Sequence, residues 1–126
     1  MPIGRELQDA LQSFTAVERD IVTLGQRADP ARAAEFVNMR RDLVMAFAKV
    51  GTALGGDPFL VANPEKMTQV TRLFAAFRTA NSINQADWPA IRVRDNPLDY
   101  KQASKPVGLR SQAFWQWIEQ ELGYKR

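Results

Sequence analysis

The stretch FVNMRRDLVMAFAKVGTAL, residues 36–54, decides the fold of this chain. Its apolar side chains recur every three or four residues, which places them on one face of an α-helix. The members of this stripe are Phe36, Met39, Leu43, Phe47, Val50 and Leu54. Asp29 and Pro30 suit the first turn of a helix, and Gly55-Gly56 suits its end. We therefore predict a helix over about residues 30–54.

The same spacing predicts three further helices, over about residues 3–24, 64–80 and 109–122. Their apolar stripes are Leu7, Leu11, Phe14, Val17, Ile21 and Leu24, then Met67, Val70, Phe74 and Phe77, and finally Phe114, Ile118 and Leu122. Gly123 suits the end of the last helix, because glycine adopts the left-handed conformation without steric cost. Short connections between the first three helices favour antiparallel packing of neighbours.

The segment over residues 81–108 lacks this spacing and is predicted to be irregular. Four residues that interrupt regular helices occur in it, namely Pro89, Pro97, Pro106 and Gly108. Asp87 and Asn96 stand shortly before prolines, as helix caps do, so we expect two short helical turns within the segment. The chain is thus predicted to be all-α, a single-domain four-helix up-down bundle over residues 1–126, with a long proline-punctuated connection before its last helix.

The chain contains no histidine and no cysteine, which removes the usual general base, the usual thiol nucleophile and the commonest transition-metal ligands. Helical bundles that hold paired irons use Glu-x-x-His motifs, which this sequence cannot supply. Glu6, Asp9 and Glu18 fall near one face of the first helix, and we interpret them as a hydrated outer surface. We predict no catalytic residue, no metal site and no cofactor, and therefore a protein that is not an enzyme.

Positive charge is concentrated in the second half of the chain. Residues 1–63 carry seven Lys or Arg against eight Asp or Glu, whereas residues 64–126 carry ten against six. Basic and aromatic side chains alternate there, as they do at protein-protein contact sites. The predicted partner-binding surface is Trp88, Arg92, Arg94, Tyr100, Lys101, Lys105, Arg110 and Trp117. The function predicted from this surface is a non-catalytic adaptor, secretion-chaperone-like or regulatory module whose partner is an acidic or amphipathic protein.

Two alternatives remain open from the sequence. The same basic and aromatic surface suits a regulator that binds nucleic acid, because cations meet phosphates and flat rings stack on unpaired bases. A sensor of small ligands is the other alternative, with an apolar pocket among Phe47, Phe59, Phe74 and Phe77. No apolar run has the length of a signal peptide or a membrane span, so we expect a cytoplasmic protein without a membrane segment.

Overall fold

The computed structural model describes the backbone of residues 2–27 and 33–126, and the side chains of residues 2–24 and 34–126. Seven helices and no strand occur within these ranges, which confirms the all-α class. The helices are α1 Arg5–Arg27, α2 Ala33–Gly56, α3 Pro58–Val61, α4 Pro64–Asp87, α5 Ala90–Asp95, α6 Pro97–Ala103 and α7 Lys105–Leu122. The cap predicted at Asp29 and Pro30 lies outside the described residues.

The prediction of an irregular connection over residues 81–108 was wrong. Helix α4 continues to Asp87, α7 begins at Lys105, and the two short helical turns expected between them are α5 and α6. The prolines mark helix starts instead of interruptions: Pro97 opens α6, and Pro106 lies in the first turn of α7. Proline is tolerated there because the first N–H groups of a helix have no partner within the helix.

The four long helices associate as two pairs, α1 with α2 and α4 with α7. Helices α2 and α4 approach each other closely over only a short stretch, and α3 lies between them along the chain. The rings of Phe47, Phe74 and Phe77 fill the space between these two helices. Bulky side chains at a helix contact increase the distance between the axes. The described residues form seven helices, so the four-helix up-down bundle is not confirmed and stays a prediction.

An aromatic cluster holds the two pairs together. The ring centroid of Phe14 on α1 lies 4.8 Å from that of Phe47 and 5.7 Å from that of Phe77. Phe114 on α7 joins the cluster at 6.0 Å from Phe77. Edge-to-face contacts of this kind add to the stabilisation from burial alone. Every long helix thus contributes at least one ring to a shared centre.

Asp57 fastens the start of the chain to α3. Its side chain is buried, and its two carboxylate oxygens accept hydrogen bonds from the backbone N–H of Gly4 at 2.7 Å and of Leu60 at 3.1 Å. The second bond is an N-cap, which satisfies a free donor at the start of α3. A Cβ atom added to Gly4 would lie 3.2 Å from the carboxylate, so this close approach favours glycine.

We expect Gly108→Ala to raise the free energy of unfolding by about 0.5–1 kcal/mol. Gly108 lies inside α7, and a Cβ atom added there would have no neighbour within 4 Å. Urea unfolding followed by circular dichroism measures the change. Gly123→Ala is the matched control with the opposite expected sign, because Gly123 caps α7 with a φ of 71°. A Gly108→Ala variant that is less stable than the wild type would contradict this assignment.

Candidate functional site

The inward face of α4 changes from large apolar to small polar side chains along its length. Val70, Phe74 and Phe77 are followed at helical spacing by Asn81 and Asn84, and all five are buried. Asparagine is much shorter than phenylalanine, so the second half of α4 fills less of the space between the two helix pairs. These asparagines lie where the sequence pattern was interpreted as the end of the helix.

Helix α7 shows the same change in the matching place. Ser104, the N-cap of α7, and Gly108 and Ser111 in its first half border the space between the helix pairs, whereas Phe114 and Trp115 follow beyond them. Helices α4 and α7 pack along each other, and the small residues of both border the same space. The two helix pairs therefore leave space between them at this end and are sealed by aromatic rings at the other.

That space is a cavity of about 610 Å³ with walls from α1, α2, α4, α6 and α7. Ile21, Leu43, Phe77 and Val107 provide apolar contact surface in it. Its volume falls in the range of small-molecule sites, which are mostly apolar and carry a few convergent polar groups. We define it as the central cavity.

Glu18 forms one polar group of the central cavity, and its hydrogen-bonding capacity is largely used within the protein. One carboxylate oxygen accepts from the Ser111 hydroxyl at 2.5 Å. The other accepts from the Trp115 indole N–H at 3.0 Å and from the Arg126 guanidinium at 3.3 Å. The side chain is only 15% exposed, so its interpretation as part of a hydrated surface was wrong. Glu6 and Asp9 are exposed, as that interpretation requires.

Two residues from the end of the chain cover Trp115 beside this carboxylate. The guanidinium of Arg126 lies 5.2 Å from the centroid of the Trp115 ring, and the Tyr124 ring stacks on it at 6.3 Å. Burial raises the pKa of Tyr124 from its ordinary value of 10.0, although a hydrogen bond with Thr15 lowers it in part. These contacts make Glu18 and its surroundings a closed structural network.

Arg40 provides a second polar group of the central cavity, and one of its guanidinium nitrogens forms no hydrogen bond. Its Nη1 donates to the backbone carbonyl of Trp88 at 2.6 Å, while its Nη2 is buried without an acceptor. The guanidinium lies 4.6 Å from the centroid of the Phe36 ring and 5.8 Å from that of Tyr100. No carboxylate of the described residues pairs with it. A buried cationic donor without an acceptor is costly.

Three short polar side chains line the cavity as well. Asn84 donates to the backbone carbonyl of Ala103 at 3.3 Å. The neighbouring Ser104 hydroxyl is buried without a partner. Asn81 is 8% exposed as a residue, and its side chain forms no hydrogen bond with any described group. Unused donors and acceptors thus come from α2, α4 and the start of α7, away from the satisfied Glu18 network.

The charge around the central cavity is predominantly positive. Five basic side chains occur in its described wall, namely Arg19, Arg40, Lys101, Lys105 and Arg126. Glu18 is the single acidic side chain among the described wall residues, and it is already paired with Arg126. The cavity therefore favours a negatively charged occupant.

The predicted partner-binding residues do not all lie on one exposed surface. Trp88 is buried, with the Arg92 guanidinium 4.0 Å from its ring centroid, so its ring is covered and not presented to a partner. Arg92 also donates to the carbonyl of Asp87 at 2.5 Å. Arg94 pairs with Asp95 at 3.0 Å. The cations of α5 are thus engaged with their own neighbourhood.

The other predicted residues divide between two places. Tyr100, Lys101 and Lys105 belong to the wall of the central cavity. Trp117 is half-buried and donates to the Gln69 side chain at 3.0 Å, about 18 Å along the α7 axis from Lys105 at 1.5 Å per residue. Arg110 is exposed on α7. The structure therefore places Tyr100, Lys101 and Lys105 in the cavity wall. Trp88, covered by Arg92, lies beside them with its ring centroid 5.7 Å from that of Tyr100, whereas Trp117 lies apart.

The four phenylalanines predicted to form an apolar pocket do not surround the central cavity. Phe47, Phe74 and Phe77 pack ring against ring, and Phe59 is half-buried against the same core. The central cavity begins beyond Phe77, which is the one member of that set in its wall. Asn81 and Asn84 were missed because their polarity was interpreted as the loss of the helical stripe. Their spacing from Phe77 was the signal that could have identified them.

Neither a metal site nor a membrane span is found in the parts of the chain that the structure describes. No three acidic side chains there are grouped to hold a metal ion, and none of the helices is both long and apolar enough to cross a bilayer. The chain matches no protein-family model, and its comparison with curated proteins and with solved structures gives no match. The site is therefore interpreted from its own geometry.

Proposed function

We propose that this protein is a non-catalytic module that binds a small molecule in the central cavity. The observation that carries the proposal is a 610 Å³ cavity in whose wall Arg40 and Ser104 each have a buried polar atom without a hydrogen-bond partner. Asn81 lies in the same wall, is only 8% exposed and forms no side-chain hydrogen bond with a described group. Leucine has nearly the same shape as asparagine and would place no polar group at this mostly buried position. A bound molecule that pairs with the amide accounts for an asparagine at this position.

The surrounding wall supports the same function. Phe77 and Leu43 provide apolar surface, and Asn84 and Ser104 provide further polar groups close to Asn81. A mostly apolar wall with a few polar groups orients a small molecule while burying most of its surface. The sensor of small ligands that the sequence left as an alternative is thus the function that the geometry favours, at a different place in the fold.

The adaptor function and nucleic-acid binding stay predictions. Three residues of the predicted partner surface, Tyr100, Lys101 and Lys105, line the central cavity. A ligand in the cavity and a macromolecule at its rim would therefore share side chains. Ligand binding is the primary function in this proposal, and any partner contact at the rim would respond to it.

Thermal unfolding with a panel of neutral, anionic and cationic amphipathic molecules tests the proposal. A ligand at 100 times its Kd is expected to stabilise the folded state by about 2.7 kcal/mol. Asn81→Leu is expected to raise the stability of the free protein by about 1 kcal/mol and to weaken ligand binding at least about tenfold. Opposite effects on stability and affinity are typical of a binding residue.

Asn38→Leu is the matched control, because Asn38 is exposed on α2 and lies outside the cavity wall. We expect it to leave ligand affinity unchanged. A panel in which no compound raises the midpoint of thermal unfolding would refute the proposed function. Equal ligand affinities for the wild type and Asn81→Leu would refute the assignment of the site.

A further inference from the structure

We propose that the ligand is an organic oxyanion with an apolar body, and that Arg40 binds its anionic group. This inference rests on the proposed function and specifies the chemistry of its ligand. Carboxylates and phosphate monoesters share the required chemistry, namely oxygen acceptors with negative charge joined to a hydrocarbon portion.

The first support is the state of the Arg40 guanidinium. Its Nη1 is held by the Trp88 carbonyl, and the flanking Phe36 ring restricts its movement. The remaining Nη2 has hydrogens to donate but no acceptor within the described protein. Guanidinium groups bind carboxylates and phosphates strongly because charge and hydrogen bonding act together. An arginine held by a carbonyl and a ring is therefore pre-organised for an anion.

The second support is the kind of polar group near Arg40. Asn81 and Ser104 can each donate a hydrogen bond, and neither forms one with a described residue. Such donors complete the coordination of an oxyanion that has more oxygen lone pairs than one arginine can satisfy. The cavity wall thus provides one charged and two neutral side chains that can donate to a ligand.

The third support is the absence of a free acidic group in the described wall. A cationic ligand needs a carboxylate, but Glu18 already accepts from Ser111, Trp115 and Arg126. A neutral ligand would leave the charge of Arg40 without compensation. Lys101 and Lys105 are exposed in the same wall, and their charge raises the local concentration of anions. The electrostatic balance of the site selects an anion over both alternatives.

The apolar portion of the ligand is matched by the remaining wall. Ile21, Leu43 and Phe77 form surface that a fully hydrophilic anion such as inorganic phosphate would leave uncovered. Burial of hydrocarbon against such surface contributes about 25 cal/mol for each Å² removed from water. The inference is therefore specific for an amphipathic anion and excludes a free inorganic ion as the preferred ligand.

Titration calorimetry with four molecules that share one hydrocarbon chain tests the inference: decanoate, decyl phosphate, decanol and decylamine, each below its aggregation concentration. We expect at least one of the two anions to bind at least about tenfold more tightly than decanol, which corresponds to about 1.4 kcal/mol. Decylamine is expected to bind more weakly than decanol. The order of decanoate and decyl phosphate distinguishes a carboxylate from a phosphate, and inorganic phosphate alone should not bind measurably.

Arg40→Gln and Arg41→Gln form the matched pair of variants. Both remove one positive charge from adjacent positions, but Arg41 is exposed and outside the cavity wall. We expect Arg40→Gln to weaken anion binding at least about tenfold and to leave decanol binding unchanged, because the guanidinium contacts only the anionic group. Arg41→Gln should bind all four molecules like the wild type. If Arg40→Gln folds poorly, Arg40→Lys is the second variant. It keeps the charge, and we expect it to retain part of the affinity for the anions.

The possible failures are distinguishable. Decanol that binds as tightly as the anions, or an Arg40→Gln variant that binds anions like the wild type, would overturn the anion inference while the proposed function stands. Preferential binding of decylamine would overturn it as well. If neither these molecules nor the wider panel binds the wild type, both the inference and the proposed function are wrong.

Discussion

Replacing Phe47 by alanine is expected to lower the free energy of unfolding by about 3–5 kcal/mol. The Phe47 side chain is buried, and its ring centroid lies 4.8 Å from that of Phe14 and 4.9 Å from that of Phe77. Its removal loses the burial of one ring and edge-to-face contacts with rings from two other helices. The total stability of a domain is only about 5–15 kcal/mol, so the loss is a large share of it.

Urea unfolding monitored by circular dichroism measures this effect, with Met45→Ala as the control on the same helix. Met45 is 65% exposed, and we expect its replacement to change the stability by no more than about 0.5 kcal/mol. If Phe47→Ala costs no more than Met45→Ala, the aromatic cluster does not hold the helix pairs together. A similar cost for Phe14→Ala would support the cluster as a unit, since its ring contacts those of both Phe47 and Phe77.

The aromatic cluster and the central cavity share a residue, Phe77. Phe77 contacts Phe14 and Phe47 on one side and borders the cavity on the other. Close-packed rings therefore fix the position of the apolar wall, and Asn81 stands one helical turn beyond it. A site that is supported by a rigid core keeps its polar groups in place before the ligand arrives, which reduces the entropic cost of binding.

Much of the helical structure could be predicted because the relevant information is local. The three-and-four spacing from Phe36 to Leu54 depends on one helix alone, and the structure places α2 over the corresponding residues. Gly123 ends α7 in the left-handed conformation, as predicted. Pro97 and Pro106 were misjudged because a proline interrupts a helix interior yet suits a helix start. Their position relative to the helix, and not their identity, decides between these outcomes.

The site was harder to predict because its meaning depends on contacts between distant residues. Ser111 lies 93 residues from Glu18 along the chain and contacts its carboxylate. Nothing in the local sequence of Glu18 separates it from an exposed acid on a helix surface. The same holds for Arg40, whose neighbour Arg41 is exposed although the two are chemically identical. Periodicity identifies the face of a helix, whereas the partner that covers the face is set by tertiary packing.

Replacing Glu18 by alanine is expected to lower the free energy of unfolding by about 2–4 kcal/mol, since several hydrogen bonds to a charged, mostly buried group are lost together. The Ser111 hydroxyl and the Trp115 indole N–H would lose their acceptor in buried surroundings. The bond to Arg126 adds less, because that side chain is 44% exposed.

Glu18→Gln keeps an acceptor oxygen and is expected to cost less than Glu18→Ala. Asp20→Ala is the control, as Asp20 is exposed on the same helix. Urea unfolding that gives the same stability for Glu18→Ala and Asp20→Ala would show that the network between α1 and α7 contributes nothing.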